Sequence, residues 1–117
     1  MDDWRIETKV AGVTFEGRQE VLASVREGDW LRVLPEPTNE YDPNAAGVWR
    51  VDERGRVLPG QQCGYIPRTE AAVLRHSFAQ DYEVWAHVAA VVGGGEKSIG
   101  LRLNLKRRLS VAEQKGR

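Results

Sequence analysis

The chain has 117 residues, enough for one modest hydrophobic core, and its 17 basic and 17 acidic residues cancel to a formal net charge of zero, which excludes a strongly basic coat for nucleic acid. A hydrophobic share of 41% excludes a wholly disordered chain, and no apolar run approaches the roughly 18 residues that span a bilayer. The single cysteine, Cys63, excludes an internal disulfide and a multi-cysteine metal site.

From Trp4 to Phe15 the apolar residues Trp4, Ile6, Val10, Val13 and Phe15 alternate with β-branched Thr8 and Thr14, which predicts a long strand kinked at Ala11-Gly12. Val21, Leu22 and Val25 then predict a short amphipathic helix over 18–25, stopped by Gly28-Asp29. Trp30 to Leu34 reads as a strand closed by Pro35 and Pro37, since proline cannot donate to a sheet ladder. After a loop over 39–44, Ala45 to Val51 predicts a strand. The polar tip from Asp52 to Arg56 turns it into a return strand that passes the irregular Pro59-Gly60 and ends at Ile66.

Pro67 suits a helix's first turn, and Ala71, Leu74 and Phe78 recur at helical spacing, so a helix is predicted over 67–79. Val84, Ala86 and Val88 alternate in a strand over 82–92 that Gly93-Gly94-Gly95 ends. Ile99, Leu101, Leu103 and Leu105 then mark a strand with one buried face. The fold class is mainly β: a small six-stranded OB-like or SH3-like barrel with two short helices, closed or nearly closed because closure removes exposed edges. One domain is expected over residues 1–108, with a flexible basic tail over 109–117.

Little in this sequence points to catalysis. His76 and His87 lie far apart and far from Cys63, without zinc-site spacing, and the serines Ser24, Ser77, Ser98 and Ser110 lack a nucleophile-elbow context. Gly93 to Ser98 departs from a phosphate loop because Glu96 precedes the lysine and a strand follows. A non-enzyme without cofactor or metal is expected. The acidic start, Met1-Asp2-Asp3-Trp4, has the wrong polarity for a secretory signal, so the expected compartment is the cytoplasm.

Two features stay open. After Glu96, Lys97, Arg102, Lys106, Arg107, Arg108, Lys115 and Arg117 face only Glu113, either as a solvated run or as a patch that attracts phosphate. Trp4, Trp30, Trp49 and Trp85 are read first as core residues, and as an interface where exposed.

The loop Asn39-Glu40-Tyr41-Asp42-Pro43-Asn44 is a shaped turn: Pro43 pushes Asp42 toward extended geometry, and Asn39 and Asn44 can bond nearby backbone. On composition alone, Tyr41 and Asp42 could equally buttress the fold or meet a ligand. The order Val10-Ala11-Gly12-Val13-Thr14-Phe15, then Pro37-x-Asn39-x-Tyr41-Asp42-Pro43-Asn44-Ala45, then Gly64-Tyr65-Ile66-Pro67 before a helix resembles the HIRAN domain, over roughly Val10 to Leu105.

The resemblance implies a modified OB-like barrel of the kind fused to fork-remodelling helicases and nucleases or found alone in bacteria. It implies a receptor for the 3′-hydroxyl end of single-stranded DNA, serving repair, fork processing or defence. On that reading Tyr41 stacks on a terminal base and Asp42 accepts the terminal hydroxyl. Phe15 is a second stacking aromatic, Tyr65 and Arg68 contact the terminal nucleotides and backbone, and Asn39, Pro43 and Asn44 shape the loop. Around Phe15 the family's basic residue and paired tyrosines are absent, and Thr14 and Glu16 stand beside it. The alternative partner is a protein, a helicase or nuclease bound in the same groove. RNA as ligand is a third reading.

Overall fold

The computed structural model describes residues 3–15 and 17–110. Its elements in chain order are β1 (Ile6–Lys9), α1 (Arg18–Leu22), β2 (Trp30–Pro35), β3 (Ala46–Val51), β4 (Val57–Tyr65), α2 (Arg68–Ala79), β5 (Tyr82–Gly94) and β6 (Lys97–Leu109). All six strands belong to one antiparallel sheet in the order β1-β6-β5-β2-β3-β4.

Local chemistry explains the turns. At the β3–β4 tip, Asp52 Oδ1 accepts the backbone N–H groups of Arg54 and Arg56, each at 2.9 Å, while Gly55 takes a φ of 80° that a side chain would resist. Pro67 precedes α2 as its cap residue, where a missing N–H costs nothing. β5 and β6 form a long hairpin whose inward positions, Val84, Ala86, Val88, Leu101, Leu103 and Leu105, are buried. Leu31, Val33 and Val48 from the neighbouring strands join them, with Leu22 of α1 and Leu74 of α2 closing the two ends of one buried cluster.

The structure differs from the sequence reading at the start of the chain. β1 is four residues long instead of running to Phe15. Beyond it, the Val10 N–H donates to Leu101 O at 3.1 Å, Ala11 turns to β4, and Gly12 has a φ of 69°. The chain is thus handed from β6 to β4 within two residues, which leaves no length for a second ladder. For the same reason the sheet is not closed into a barrel: among the described residues β1 and β4 share no ladder, and an isolated pair, Ala11 and Tyr65, exchanges backbone hydrogen bonds at 2.7 and 2.9 Å. Gly64 permits that crossing, because a Cβ there would lie 2.3 Å from Ala11 O.

The tryptophans divide: Trp85 is buried at 8% exposure and Trp4 packs against the buried cluster, whereas Trp30 is 41% exposed. β6 continues through Leu109, opposite Tyr82, and the Ser110 N–H donates to Asp81 O at 3.0 Å. The rest of the expected basic tail, 111–117, lies outside the described residues, as does Glu16. Among the described residues no helix is long and apolar enough to cross a membrane.

Candidate functional site

The 39–44 loop is built from two nested side-chain turns. Asn39 Oδ1 accepts the N–H groups of Tyr41 at 2.9 Å and Asp42 at 3.1 Å, and Asp42 Oδ1 accepts the N–H of Asn44 at 2.9 Å. Its neck is closed where the Glu36 N–H donates to Ala45 O at 2.8 Å. With its backbone donors used in this way, the loop thrusts the Tyr41 ring into solvent at 81% exposure, whereas the Asp42 side chain remains only 18% exposed.

Three other elements meet the loop. Arg68, the first residue of α2, places its Nε 3.5 Å from Asp42 Oδ2 and donates from Nη2 to Tyr41 O at 3.3 Å. Tyr65 ends β4, and its hydroxyl donates to Glu36 Oε1 at 2.9 Å. Glu36 Oε1 also accepts from Asn39 Nδ2 at 3.3 Å, so one carboxylate ties the strand end to the loop. Phe15 follows the Gly12 turn and is 68% exposed.

Phe15, Tyr41, Asp42, Tyr65 and Arg68 line one open cleft of about 380 Å³, together with Asn39, Ala45, Ile66 and Arg18. All five candidates from the sequence therefore come together. Of the loop-shaping residues, Asn39 lines this cleft, while Pro43 and Asn44 face a separate groove with Pro35, Pro37, Arg75 and Phe78. A larger cavity of about 520 Å³ between Trp30, Trp85 and the β3–β4 tip contains none of the candidates.

Arg18 is the residue that the sequence did not reveal. Its guanidinium carbon lies 4.9 Å from the Phe15 ring centroid and 5.1 Å from that of Tyr65, and Nη1 donates to Gly12 O at 2.8 Å. Such a cation between two rings is attracted to both and keeps them apart at a set spacing. The turn at Gly12 and the start of α1 bring Arg18 back beside Phe15, and a Cβ on Gly12 would lie 2.8 Å from Arg18 Nη1. A cation three positions beyond an exposed aromatic is the signal that could have found it.

Nucleophilic chemistry has no support in the ionisation states. Burial pushes the Cys63 thiol up to about 12, and the charges of Arg50 and Arg18 oppose this without overcoming it. Among the described residues no group of three or more His, Cys, Asp or Glu side chains could hold a metal ion. His87 instead lies against Trp30, with ring centroids 4.7 Å apart and the rings tilted by 46°.

The family model described as the HIRAN domain matches residues 5–112. This chain belongs to the HIRAN family. HIRAN is a family of binding domains known as DNA-binding modules, so nucleic-acid binding is supported at the level of the family. Among solved structures, the chain is similar to a protein from Lactobacillus plantarum, with 20% identity, a TM-score of 0.65, and coverage of 87% of this chain and 95% of that one. It is also similar to the HIRAN domain of human HLTF, with 18% identity, a TM-score of 0.62, and coverage of 96% and 81% respectively. At these identities the likeness is one of HIRAN fold alone. No curated protein sequence matches the chain.

Proposed function

We propose that this HIRAN domain captures the 3′-hydroxyl end of single-stranded DNA and carries out no catalysis. The observation that carries the reading is the convergence of Tyr41, Asp42, Phe15, Tyr65 and Arg68 on one cleft, with an exposed aromatic beside a mostly covered carboxylate. Tyr41 and Phe15 offer stacking faces worth about 1 to 3 kcal/mol per base, whatever the base. Asp42 spends one oxygen on the Asn44 N–H, and the other, 3.5 Å from Arg68 Nε, has a second lone pair to offer. An ionised carboxylate only accepts, so a terminal hydroxyl is welcome there and a terminal phosphate is repelled. Arg68 and Arg18 supply planar forks for the last phosphodiesters, and Tyr65 completes the wall.

On this reading the protein acts as a single domain over residues 1–108 in the cytoplasm, in repair, fork processing or a defence system. The test is fluorescence anisotropy with oligonucleotides that differ only in a 3′-hydroxyl or 3′-phosphate. The hydroxyl form is expected to bind at least tenfold more tightly, and Asp42→Ala is expected to erase the difference. Equal affinity of the unmodified protein for both ends would remove Asp42 from its role. The zero net charge favours a second reading, a protein adaptor that uses the same groove for a helicase or nuclease. A nuclease-resistant pull-down of one such partner, lost on Tyr41→Ala and without any DNA end preference, would select it.

A further inference from the structure

The face of the sheet turned away from the core carries features that the cleft does not use. Residues directly opposite in an antiparallel ladder project to the same side. Trp49 stands opposite Arg32, Arg32 opposite Trp85, and Trp85 opposite Lys106, so one rung across β3, β2, β5 and β6 alternates tryptophan with cation. In the next rung Trp30, 41% exposed, stands opposite His87. The intervening Leu31, Val33, Val84 and Ala86 are buried, which places both rungs on the outside.

The basic run of β6 divides by the same parity. Arg107 points to the other side, where its guanidinium lies 4.1 Å from the Tyr82 ring and 5.1 Å from the Trp4 ring and donates to Ser77 Oγ at 3.1 Å. Arg102, Lys106 and Arg108 occupy alternate outward positions, so Lys106 and Arg108 lie about 7 Å apart along the strand.

Two acids stand in the ladder on this face, and Asp29, Asp52 and Glu53 line the cavity beside Trp30, Trp85 and Arg108 at its edge. Glu7 stands opposite Asn104, and Glu83 stands opposite Arg108 and accepts from it and from Trp85 Nε1. Glu83 also lies 3.5 Å from Arg32 Nη2 and is 11% exposed, against 46% for Arg108. The carboxylate is therefore turned inward as a clamp that holds two arginines over Trp85, at 5.0 and 5.5 Å, and the outward positions of β6 away from that edge carry Arg102 and Lys106. The face is continuous with the cleft, because Arg18 also lines a shallow pocket with Trp49 and Gln62.

We infer that this outer face is a second contact surface for single-stranded nucleic acid, one that holds the strand at a distance from its captured end; it rests on the end-capture reading. Arg102 and Lys106 take phosphates, and the exposed Trp30 beside His87 takes a base. From Trp49 to Lys106 the rung crosses three strand spacings, about 14 Å, the length of about four nucleotides at roughly 3.4 Å per stacked nucleotide. Very short strands meet the cleft alone, and longer ones meet both surfaces.

The experiment titrates fluorescein-labelled oligothymidylates of 3 and 20 nucleotides, each with a 3′-hydroxyl or a 3′-phosphate, against the unmodified chain, R102E/K106E and D42A. The expected result is a 20-mer at least fivefold tighter than the 3-mer, and a loss of that advantage in R102E/K106E with the 3-mer unchanged. In the charge-reversed variant the slope of log K against log salt should fall by about 1.4, as two lost phosphate contacts require. Thermal melts of R102E/K106E establish that it is folded, and the milder K106A should give a partial loss in the same direction.

Equal binding of 3-mer and 20-mer, or a 20-mer indifferent to R102E/K106E, overturns the inference and leaves end capture standing. A 20-mer advantage that persists while D42A and the 3′-phosphate change nothing leaves this surface and removes end capture. Binding of poly-glutamate, but no oligonucleotide, to the Arg102–Lys106 face would assign it to an acidic protein and overturn the inference.

Discussion

The Tyr65 hydroxyl donates to Glu36 Oε1 at 2.9 Å, and through that carboxylate the end of β4 is coupled to the loop that presents Tyr41 and Asp42. Tyr65→Phe keeps the ring and removes the bond. A loss of about 1 to 2 kcal/mol in urea unfolding is expected, since the acceptor is a carboxylate. The ratio of hydroxyl to phosphate affinity should fall with it, because Asn39 then loses part of the support that aligns Asp42.

Tyr41→Ala separates binding from stability. The ring is 81% exposed, so unfolding should move by no more than about 0.5 kcal/mol. Loss of one stacking platform should weaken binding of a 3′-hydroxyl oligonucleotide by about 1 to 3 kcal/mol, or roughly 5- to 150-fold, in anisotropy titrations.

Gly64→Ala should damage the fold. Its Cβ would lie 2.3 Å from Ala11 O and 2.6 Å from Val10 Cγ1, contacts that force the backbone crossing apart. A loss on the order of 2 kcal/mol or more is expected in denaturant unfolding, with the amides of Ala11 and Tyr65 losing protection from hydrogen exchange first.

Glu83 predicts part of the acid sensitivity. Burial would raise its carboxyl, but hydrogen bonds from Arg108 and Trp85 and the charge of Arg32 outweigh burial and hold it below its ordinary value of 4.5. A carboxyl lowered in the folded state adds stability that is fully present above the unfolded value and is lost as pH falls through the folded one. The melting temperature of the unmodified chain should therefore fall below about pH 4.5, and Glu83→Gln should flatten that part of the profile.

Cys63 should be silent in the native protein. With full burial and a thiol pushed up to about 12, it should react with a disulfide reagent at pH 8 only on the unfolding timescale, and at once in denaturant. Rapid native labelling, followed by absorbance, would contradict its placement in the core.

Much of the architecture is legible in the residues because it rests on local rules. The period of two in Ile99 to Leu105, the stop signal at Pro35 and the helix after Pro67 each act over a few positions, whereas β5 runs on past Gly93 to Gly94 before it turns. The Asn39 and Asp42 turns are equally local, and the loop is found where its residue types place it. What escaped depends on distant contacts. The short β1 and the open sheet follow from where Ala11 crosses to β4, a pairing 54 residues apart that no local pattern encodes. Arg18 enters the cleft only because the Gly12 turn folds α1 back. For the tryptophans, aromatic character signals burial without saying on which side of a sheet: Trp4 packs against the core, Trp85 is buried beneath arginines and the β3–β4 tip, and Trp30 is exposed.

The crossing at Ala11 and Tyr65 also makes one residue a junction of the fold. Tyr65 presents its ring to the site, its hydroxyl to the loop and its backbone to the segment that follows β1. While the β1–β6 ladder holds the first strand on one side, this seam holds the segment after it on the other. A substitution at that single position therefore touches the cleft wall, the loop that carries Tyr41 and Asp42, and the seam together.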